Sequence, residues 1–129
     1  MMREILFRAK CAGKWHYGYY VHQYGADMIY LPNGADGEGF DYYHIDAETL
    51  GQDTGLTDKN GKKIFEGDIL EFSDRLVVVF WNTYLGCWDS GFLKFTNIKN
   101  DRDDMSTFYW GYKSKVIGNI YDNPELTKI

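Results

Sequence analysis

"TGLTDKNGKKIFEGDIL", Thr54 to Leu70, is the stretch that decides how this sequence folds. It places glycines, lysines and acids at close spacing in an otherwise aromatic-rich chain. Within it, Asp58-Lys59-Asn60-Gly61 has the residue types of a type I turn followed by a left-handed glycine, the usual three-residue hairpin loop. Gly67 predicts a second sharp bend, because glycine adopts a positive φ without a Cβ penalty. The stretch therefore predicts a hairpin loop and a bend that begin a small barrel.

Two ligand-binding loops that this composition suggests fail on spacing. In an EF-hand with Gly61 at the sixth position, Leu56 would occupy the first position and Gly67 the twelfth, and neither residue can bind calcium. A phosphate-binding P-loop needs Ser or Thr after its Gly-Lys pair and a helix behind it, but Lys63 follows Lys62 and no helix is predicted. Neither a calcium loop nor a phosphate cradle is therefore predicted.

The acids of the stretch give no sign of catalysis. A paired-carboxylate hydrolase needs two acids that face one cleft, whereas Glu66 and Asp68 are separated by a single glycine at a bend. Asp68 is expected to accept hydrogen bonds from turn amides. We therefore predict no catalytic residue, and only Lys59, Lys62 and Lys63 stay available to an anionic partner.

The composition predicts one all-β domain over residues 1–129. Hydrophobic residues make up 44% of the chain and aromatic residues 18%, which is too much bulky apolar material for a disordered chain. Tyrosine, phenylalanine, tryptophan and β-branched residues favour strands, and 14 glycines against 2 prolines leave most turns to glycine, asparagine and aspartate. We expect mainly antiparallel strands and only short helical turns.

The N-terminal part, residues 1–50, predicts a β-meander or curved sheet. "REILFRA" (Arg3–Ala9) alternates as a strand, Cys11–Lys14 is a turn, and "WHYGYYVHQY" (Trp15–Tyr24) is a second strand that completes a hairpin. The further expectations are a turn at Gly25-Ala26-Asp27, a loop at Pro32–Gly39, a strand at Phe40–Ile45 and a single helical turn at Asp46–Leu50.

The remainder, residues 51–129, predicts an SH3-like small barrel. "LVVVFW" (Leu76–Trp81) does not alternate, so it is expected to be buried on both faces as a central strand. Val116–Tyr121 is the last predicted strand. Asn123-Pro124-Glu125 has the pattern of an N-cap, a proline at the first helical position and an acid in the first turn, which predicts one closing turn of helix. The polar stretch Asn100–Ser106 is expected to be a surface loop.

Charge and cysteine content limit the function classes. The net charge of −5 argues against nucleic-acid binding, because such domains usually carry a basic surface. Cys11 and Cys87 have no zinc spacing and no disulfide framework. The N-terminus lacks the apolar core of a signal peptide, and no window is apolar enough to span a membrane. We expect a reduced, soluble, cytoplasmic protein without membrane contact.

The three histidines do not form a recognisable metal site. His16 and His22 share a strand face but lie far apart along it, and a pairing of His44 with Asp46 would still lack a third ligand. No serine or cysteine nucleophile with a placed base is found either. No metal and no cofactor are predicted.

The tyrosine-rich second strand is the most suggestive feature after the opening stretch. Trp15, Tyr17 and Tyr19 share one face of this strand, and Tyr20 lies on the other. Surplus aromatic side chains on a strand form either a protein interface or a base-stacking platform. Because a stacking platform needs a basic groove and only Lys14 is near in sequence, these residues predict a protein-binding surface. Packing against a second sheet remains the alternative.

Three blocks of the sequence together resemble the YopX family of bacteriophage and prophage proteins. They are "REILFRA" at residues 3–9, the middle run "ETLGQ", "TGL", "DKNG" and "IFEGDI" between residues 48 and 69, and "VIGNIY" with "NPEL" at residues 116–126. The blocks cover the whole chain in order, and their combination is specific although each block alone is weak.

The resemblance implies a largely β protein that is encoded by a phage or prophage and acts in the bacterial cytoplasm. It implies no established catalytic activity or cofactor. Three positions depart from the family pattern: Asp53 stands where an aromatic residue is common, Lys10 where a tryptophan is common, and Lys63 where an acid is frequent. Any partner specificity of the family therefore does not transfer to this chain.

We expect a non-enzymatic accessory protein that binds a host or phage protein and self-associates as a homo-oligomer. The alternative is a nucleic-acid-binding module that uses Lys59, Lys62 and Lys63. A third hypothesis, a hydrolase using Glu66, Asp68 or His44, requires a pocket that holds these residues together.

Overall fold

The computed structural model describes residues 5–32, 40–96 and 113–128, and within them it shows ten strands and one short 3-10 helix. The loop predicted at Pro32–Gly39 lies outside the described residues except for Pro32, which is the last residue of a strand, and the loop predicted at Asn100–Ser106 lies wholly outside them. The strands are β1 (Phe7–Cys11), β2 (Lys14–Gln23), β3 (Ala26–Pro32), β4 (Phe40–His44), β5 (Asp46–Thr57), β6 (Lys63–Phe65), β7 (Asp68–Phe72), β8 (Arg75–Asn82), β9 (Cys87–Phe95) and β10 (Lys115–Asn119). The 3-10 helix is η1 (Pro124–Thr127).

The chain divides into two compact units, residues 1–53 and residues 54–129. In the first unit the hydrogen-bonded strand order is β4-β3-β2-β1-β5, and β5 continues past residue 53 to lie beside β6. The second unit contains a four-stranded sheet in the order β10-β7-β8-β9. The strand pairs in both units are antiparallel, which confirms the predicted all-β, mainly antiparallel fold. The SH3-like barrel in the second unit stays a prediction.

Two tight turns build the hairpins at the start of the chain. Ala12 and Gly13 have φ angles of 51° and 78°, and Tyr24 and Gly25 have φ angles of 54° and 75°. Positive φ at both central residues is the signature of a type I′ turn, whose twist suits two antiparallel strands. The first turn lies where it was predicted. The second comes earlier than expected, at Tyr24-Gly25, because Tyr24 itself adopts the left-handed conformation and Ala26 already belongs to β3.

The helical turn predicted at Asp46–Leu50 is wrong, because these residues form the first part of β5. The Lys10 backbone N–H donates to Thr49 Oγ1 at 2.8 Å. Farther along, Arg8 pairs with Gly51 across the same two strands. Strand β1 therefore pairs with residues of β5 along the edge that does not face β2. This pairing across the sheet overrides a weak local helical preference.

Strand β8 supplies the core of the second unit with only part of its length. Val77 and Val79 are buried with Ile64, Leu70 and Val116 in one hydrophobic cluster. The expectation that the strand is buried on both faces as far as its end is wrong, since the last two aromatic side chains, Phe80 and Trp81, are 39% and 44% exposed.

The chain ends in the predicted short helical turn, but its cap differs from the prediction. Helix η1 begins at Pro124, and the Asn123 side chain makes no capping hydrogen bond to it. Instead, Asn123 Oδ1 accepts the Asn119 backbone N–H at 3.2 Å. Asn123 therefore occupies the predicted N-cap position, and its carbonyl accepts the Leu126 N–H at 3.0 Å, but its side chain is turned back to the end of β10 and does not cap the helix.

Candidate protein-binding surface

A row of tyrosines crosses three neighbouring strands of the first unit. Tyr19 on β2 lies directly opposite Tyr30 on β3, and Tyr30 lies directly opposite Tyr42 on β4. Directly opposite residues of an antiparallel pair project from the same face of the sheet. The three side chains therefore form one row, which we call the tyrosine row. Tyr17, two residues before Tyr19 on β2, shares this face and extends the row along the strand.

The tyrosine row and Tyr17 offer a large contact area. The exposed fractions are 47% for Tyr17, 42% for Tyr19 and 54% for Tyr42. The rings of Tyr30 and Tyr42 are tilted by 33° with centroids 5.7 Å apart, so they cover part of each other's faces. Stacked bases need open ring faces, whereas a protein partner uses ring edges and hydroxyl groups as well. The geometry therefore suits a protein partner better than single-stranded nucleic acid.

Trp15, on the same face of β2, has two cations of β1 over its ring. The Arg8 guanidinium carbon lies 4.7 Å and Lys10 Nζ 5.2 Å from the centroid of the indole ring. The register explains the contact, because Lys10 is opposite Trp15 and Arg8 is opposite Tyr17. Cation–π attraction holds these charges on the indole. Two basic side chains thus join the aromatic face, but they bind within the chain instead of lining an open groove.

Tyr20 lies on the opposite face of β2, where it belongs to a polar cluster. Its hydroxyl donates to Asp27 Oδ1 at 2.5 Å, and His22 Nδ1 lies 2.8 Å from the same oxygen. The hydrogen bond from Tyr20 and then that from His22 lower the pKa of Asp27, and the bond to Asp27 raises the pKa of Tyr20. This cluster fixes the hairpin of β2 and β3. It separates Tyr20 from the tyrosines with which it was grouped on sequence.

Each of the three histidines contacts a different residue. His16 stacks on Tyr43 with ring centroids 3.9 Å apart, and His44 meets Tyr42 edge-on at 5.8 Å. Within residues 5–32, 40–96 and 113–128, no three His, Cys, Asp or Glu side chains come close enough to hold a metal ion. Cys11 and Cys87 are free thiols.

The "DKNG" segment is a hairpin turn built around a buried carboxylate. The Gly61 N–H donates to the Asp58 carbonyl at 3.0 Å, and Gly61 has a φ of 81°, as the sequence predicts. Asp58 Oδ1 accepts the Asn60 and Lys62 N–H groups at 2.8 and 2.9 Å, and Oδ2 accepts the Val116 N–H at 3.0 Å. Asp58 is 4% exposed. It serves the turn and the start of β10 and is not placed for chemistry.

The charge of Asp58 is stabilised by its surroundings. Burial is the largest single effect and disfavours the carboxylate, but the three N–H donors and the nearby Lys62 charge together outweigh it. The pKa of Asp58 is therefore held below its ordinary value of 3.8. Lys59, Lys62 and Lys63 surround this turn in the second unit with exposed side chains.

The second bend has the same structural character. Gly67 has a φ of 87°, and its N–H donates to the Val79 carbonyl at 2.9 Å. Asp68 is 1% exposed, and its Oδ2 accepts the Phe65 N–H at 2.8 Å, which confirms the expected hydrogen bond to a turn amide. The glycine and the acid of "EGD" thus hold the chain in its bend between β6 and β7.

One exposed apolar group in the second unit was missed on sequence. At the tip of the β8–β9 hairpin, Tyr84 is 99% and Leu85 70% exposed. Asn82 Oδ1 accepts both of their N–H groups, at 3.0 and 3.1 Å, and so fixes the turn that presents them. The signal was the pattern "NTYLG", in which two apolar residues stand inside a turn.

Residues 8–128 match the family model described as YopX protein. The chain belongs to the YopX family. The match spans nearly the whole chain and confirms the resemblance carried by the three sequence blocks. No curated protein matches the chain. Among the described residues of this YopX-family chain, no helix is long and apolar enough to cross a membrane.

Of the residues singled out on sequence, the structure brings Trp15, Tyr17 and Tyr19 together on one face of the first unit. It adds Tyr30 and Tyr42, which sequence reasoning did not include. The position of Tyr30 could have been predicted from the sequence, because a two-residue turn at Tyr24-Gly25 sets the register that places Tyr30 opposite Tyr19. The position of Tyr42 depends on a longer connection whose length does not fix a register.

Proposed function

We propose that this YopX-family protein is a non-enzymatic β module that binds another protein through its tyrosine row and Tyr17. The observation that carries the proposal is the register of Tyr19, Tyr30 and Tyr42 on three adjacent strands. The side chains of the two outer members, Tyr19 and Tyr42, are each about half exposed. Tyrosine combines a large, stiff contact area with a hydroxyl group, which is why it is enriched at protein interfaces.

The setting that we propose is a phage or prophage accessory protein in the bacterial cytoplasm, with a host or phage protein as the partner. Its support is the membership in the YopX family together with the departures at Lys10, Asp53 and Lys63 noted above. Lys63 is exposed and Lys10 is partly exposed, whereas Asp53 is buried, so the first two departures change accessible chemistry and the partner is expected to be particular to this chain.

The size of the surface suggests how the contact is built. About half of each of three tyrosine side chains gives roughly 300 Å² of aromatic area, against about 800 Å² per partner in a standard interface. The tyrosines would therefore form the centre of the contact, and the surface around them would supply the remaining area. Central, well-packed tyrosines commonly carry most of the binding energy.

The test begins with a photoreactive phenylalanine analogue at position 19, which crosslinks the bound protein in bacterial cells. The identified partner is then purified and titrated against the wild type by calorimetry. We expect Tyr17→Ser and Tyr19→Ser each to weaken binding at least about tenfold, because each removes a central aromatic anchor.

The matched control is Tyr84→Ser, which removes a more exposed tyrosine from the second unit. It should leave the affinity unchanged. Binding through the tyrosine row would be contradicted if Tyr17→Ser and Tyr19→Ser bound the partner as tightly as the wild type. It would also be contradicted if Tyr84→Ser lost as much affinity as those two variants.

A further inference from the structure

Strand β4 lies at the outside of the sheet of the first unit among the described strands, with β3 on its inner side. One hydrogen bond fixes which of its peptide groups face β3, because the Ile45 N–H donates to the opposite Asp27 carbonyl at 3.1 Å. Hydrogen-bonded and non-hydrogen-bonded pairs alternate along an antiparallel ladder. Tyr43 and Asp41 therefore face β3, whereas the peptide groups of Tyr42 and His44 turn away from it.

An independent feature of the register supports this assignment. Phe40 pairs with Pro32, and the alternation makes this a non-hydrogen-bonded pair. A proline has no N–H to donate, so it fits such a position and no other in this strand. The outer edge of β4 thus presents the N–H and C=O groups of Phe40, Tyr42 and His44, which is a template for another strand.

We propose that two copies of this chain pair antiparallel through β4, with Tyr42 on the two-fold axis. In this register Tyr42 is opposite Tyr42 of the partner subunit, and Phe40 and His44 are opposite each other across the axis. All three pairs use outward peptide groups, which gives about six backbone hydrogen bonds. A two-fold contact of this kind closes after two copies.

The side chains between these pairs are complementary in hydrogen bonding. On the other face of β4, Asp41 comes opposite Tyr43 of the partner subunit, and Tyr43 comes opposite Asp41 of the partner subunit. These are non-hydrogen-bonded pairs, in which side chains approach most closely. A carboxylate beside a phenol is the arrangement already present within the chain, where the Tyr20 hydroxyl donates to Asp27.

Neighbouring registers are less favourable. A shift by two residues in one direction places Asp41 opposite Asp41 of the partner subunit, and like charges in directly opposed positions destabilise a strand pair. A shift in the other direction loses two of the six hydrogen bonds. Only the register centred on Tyr42 combines the full set of backbone bonds with carboxylate–phenol pairs.

The consequence concerns the tyrosine row. Because Tyr42 is its outermost member, pairing at Tyr42 joins the rows of two subunits into one band that crosses six strands. This consequence rests on the proposed function of the row, whereas the pairing itself does not. A partner protein would then meet two copies of the surface in a fixed relation, which raises its avidity.

The test measures mass by sedimentation velocity from about 1 µM to about 200 µM, the range expected for a small edge contact. We expect the wild-type mass to rise from 15.0 kDa towards twice that value. Tyr42→Lys and Tyr42→Glu each place like charges opposite each other across the axis, and each should weaken dimerisation at least about tenfold.

The equimolar mixture of these two variants is the decisive sample. Lysine of one subunit then faces glutamate of the other, so the mixture should dimerise more tightly than either variant alone. Tyr84→Lys is the matched control, since it makes the same substitution at an exposed tyrosine that does not belong to β4, and it should dimerise like the wild type.

The proposal is overturned if the wild type stays at 15.0 kDa throughout the range, if either variant dimerises like the wild type, or if mixing restores nothing. Hydrogen exchange on the wild type provides a readout that needs no folded variant. The amides of Tyr42 and His44 should exchange more slowly when the dimer is populated, and unchanged rates would also overturn it.

The two proposals fail separately. A wild type that stays monomeric and loses partner affinity on Tyr17→Ser and Tyr19→Ser would overturn the β4 contact and leave the proposed function intact. If the wild type dimerises as expected but Tyr17→Ser and Tyr19→Ser bind the partner as tightly as the wild type, the proposed function is contradicted and the β4 contact is retained.

Discussion

At the scale of single residues, Asp58 links parts of the chain that are far apart in sequence. Its carboxylate accepts N–H groups from its own turn and from Val116, 58 residues further on. A buried N–H without an acceptor is costly, so one side chain satisfies the turn and fixes where β10 begins. In the sequence this acid resembled a ligand-binding residue, but in the structure its carboxylate binds backbone N–H groups of the same chain.

We expect Asp58→Ala to lower the free energy of unfolding by about 2–4 kcal/mol, because it leaves three backbone donors without their acceptor. Asp58→Asn should lie between it and the wild type, since it keeps an acceptor oxygen but loses the charge. Urea denaturation near pH 7 measures both. Glu71→Gln, which neutralises an exposed carboxylate on β7, is the control and should change little. A loss as small as that of the control would contradict this role.

The pH dependence of the same variants has a definite sign. The folded-state pKa of Asp58 lies below 3.8, so its carboxylate contributes its full stability above that pH and loses it as the pH falls through the lower folded value. The gap in unfolding free energy between the wild type and Asp58→Asn should therefore narrow from about pH 4 downwards. A gap that stays constant to about pH 2 would show that the charge of Asp58 is not involved.

At the scale of elements, strand β2 belongs to two hairpins, and its pairing partner changes at Gly18. Its first half pairs with β1, ending with Phe7 opposite Gly18, and its second half pairs with β3 from Tyr19 onwards. A Cβ on Gly18 would clash with the Tyr30 carbonyl oxygen and would lie 3.1 Å from Ile29 Cγ2. The close approach of β3 to β2, and with it the tyrosine row, requires a glycine here.

Gly18→Ala should therefore destabilise the protein by about 1–3 kcal/mol, because the clash is with backbone atoms that cannot move aside without breaking the strand pairing. Gly91→Ala on β9 is the matched control. Its added Cβ would meet side-chain atoms at 3.5 Å or more, an ordinary contact, so its effect should be small. Chemical denaturation compares the two. Equal stabilities would mean that β3 does not depend on the missing side chain of Gly18.

At the scale of the whole molecule, the charge distribution bears on nucleic-acid binding. Lys59, Lys62 and Lys63 are exposed around one turn of the second unit, in a chain with a net charge of −5. Nucleic-acid affinity comes mainly from neutralised phosphates and falls steeply with salt. Three lysines against an overall negative charge give a weak contact at best.

We expect no binding of a labelled single-stranded or double-stranded oligonucleotide in about 150 mM salt, measured by fluorescence anisotropy. Any binding in very low salt should show a salt slope no steeper than about −3, as three phosphate contacts allow. Tight binding in about 150 mM salt that is abolished by Lys→Glu changes at Lys59 and Lys62 would instead support the nucleic-acid alternative.

The sequence predicted the fold class and several turns, but two of the three members of the tyrosine row, Tyr30 and Tyr42, were not predicted from it. Turns such as Asp58–Gly61 and Ala12-Gly13 are predictable because their geometry depends on the backbone preferences of two to four neighbouring residues. The strand assignment of Asp46–Leu50 was missed because it depends on an edge of β1 that is distant in sequence. The exposed end of β8 was missed because apolar residues alone do not show where a core stops.

The sequence by itself therefore determined what short-range chemistry controls: the all-β class, the hairpin at "DKNG", the bend at Gly67 and the membership in the YopX family. Only the tertiary structure decided which side chains share a surface. It aligned Tyr30 and Tyr42 with Tyr19 across three strands, turned Tyr20 to Asp27, and directed the Val116 N–H of β10 to Asp58. The physical reason is that strand register between distant segments is set by pairing and packing across the whole sheet, which no local pattern of residues contains.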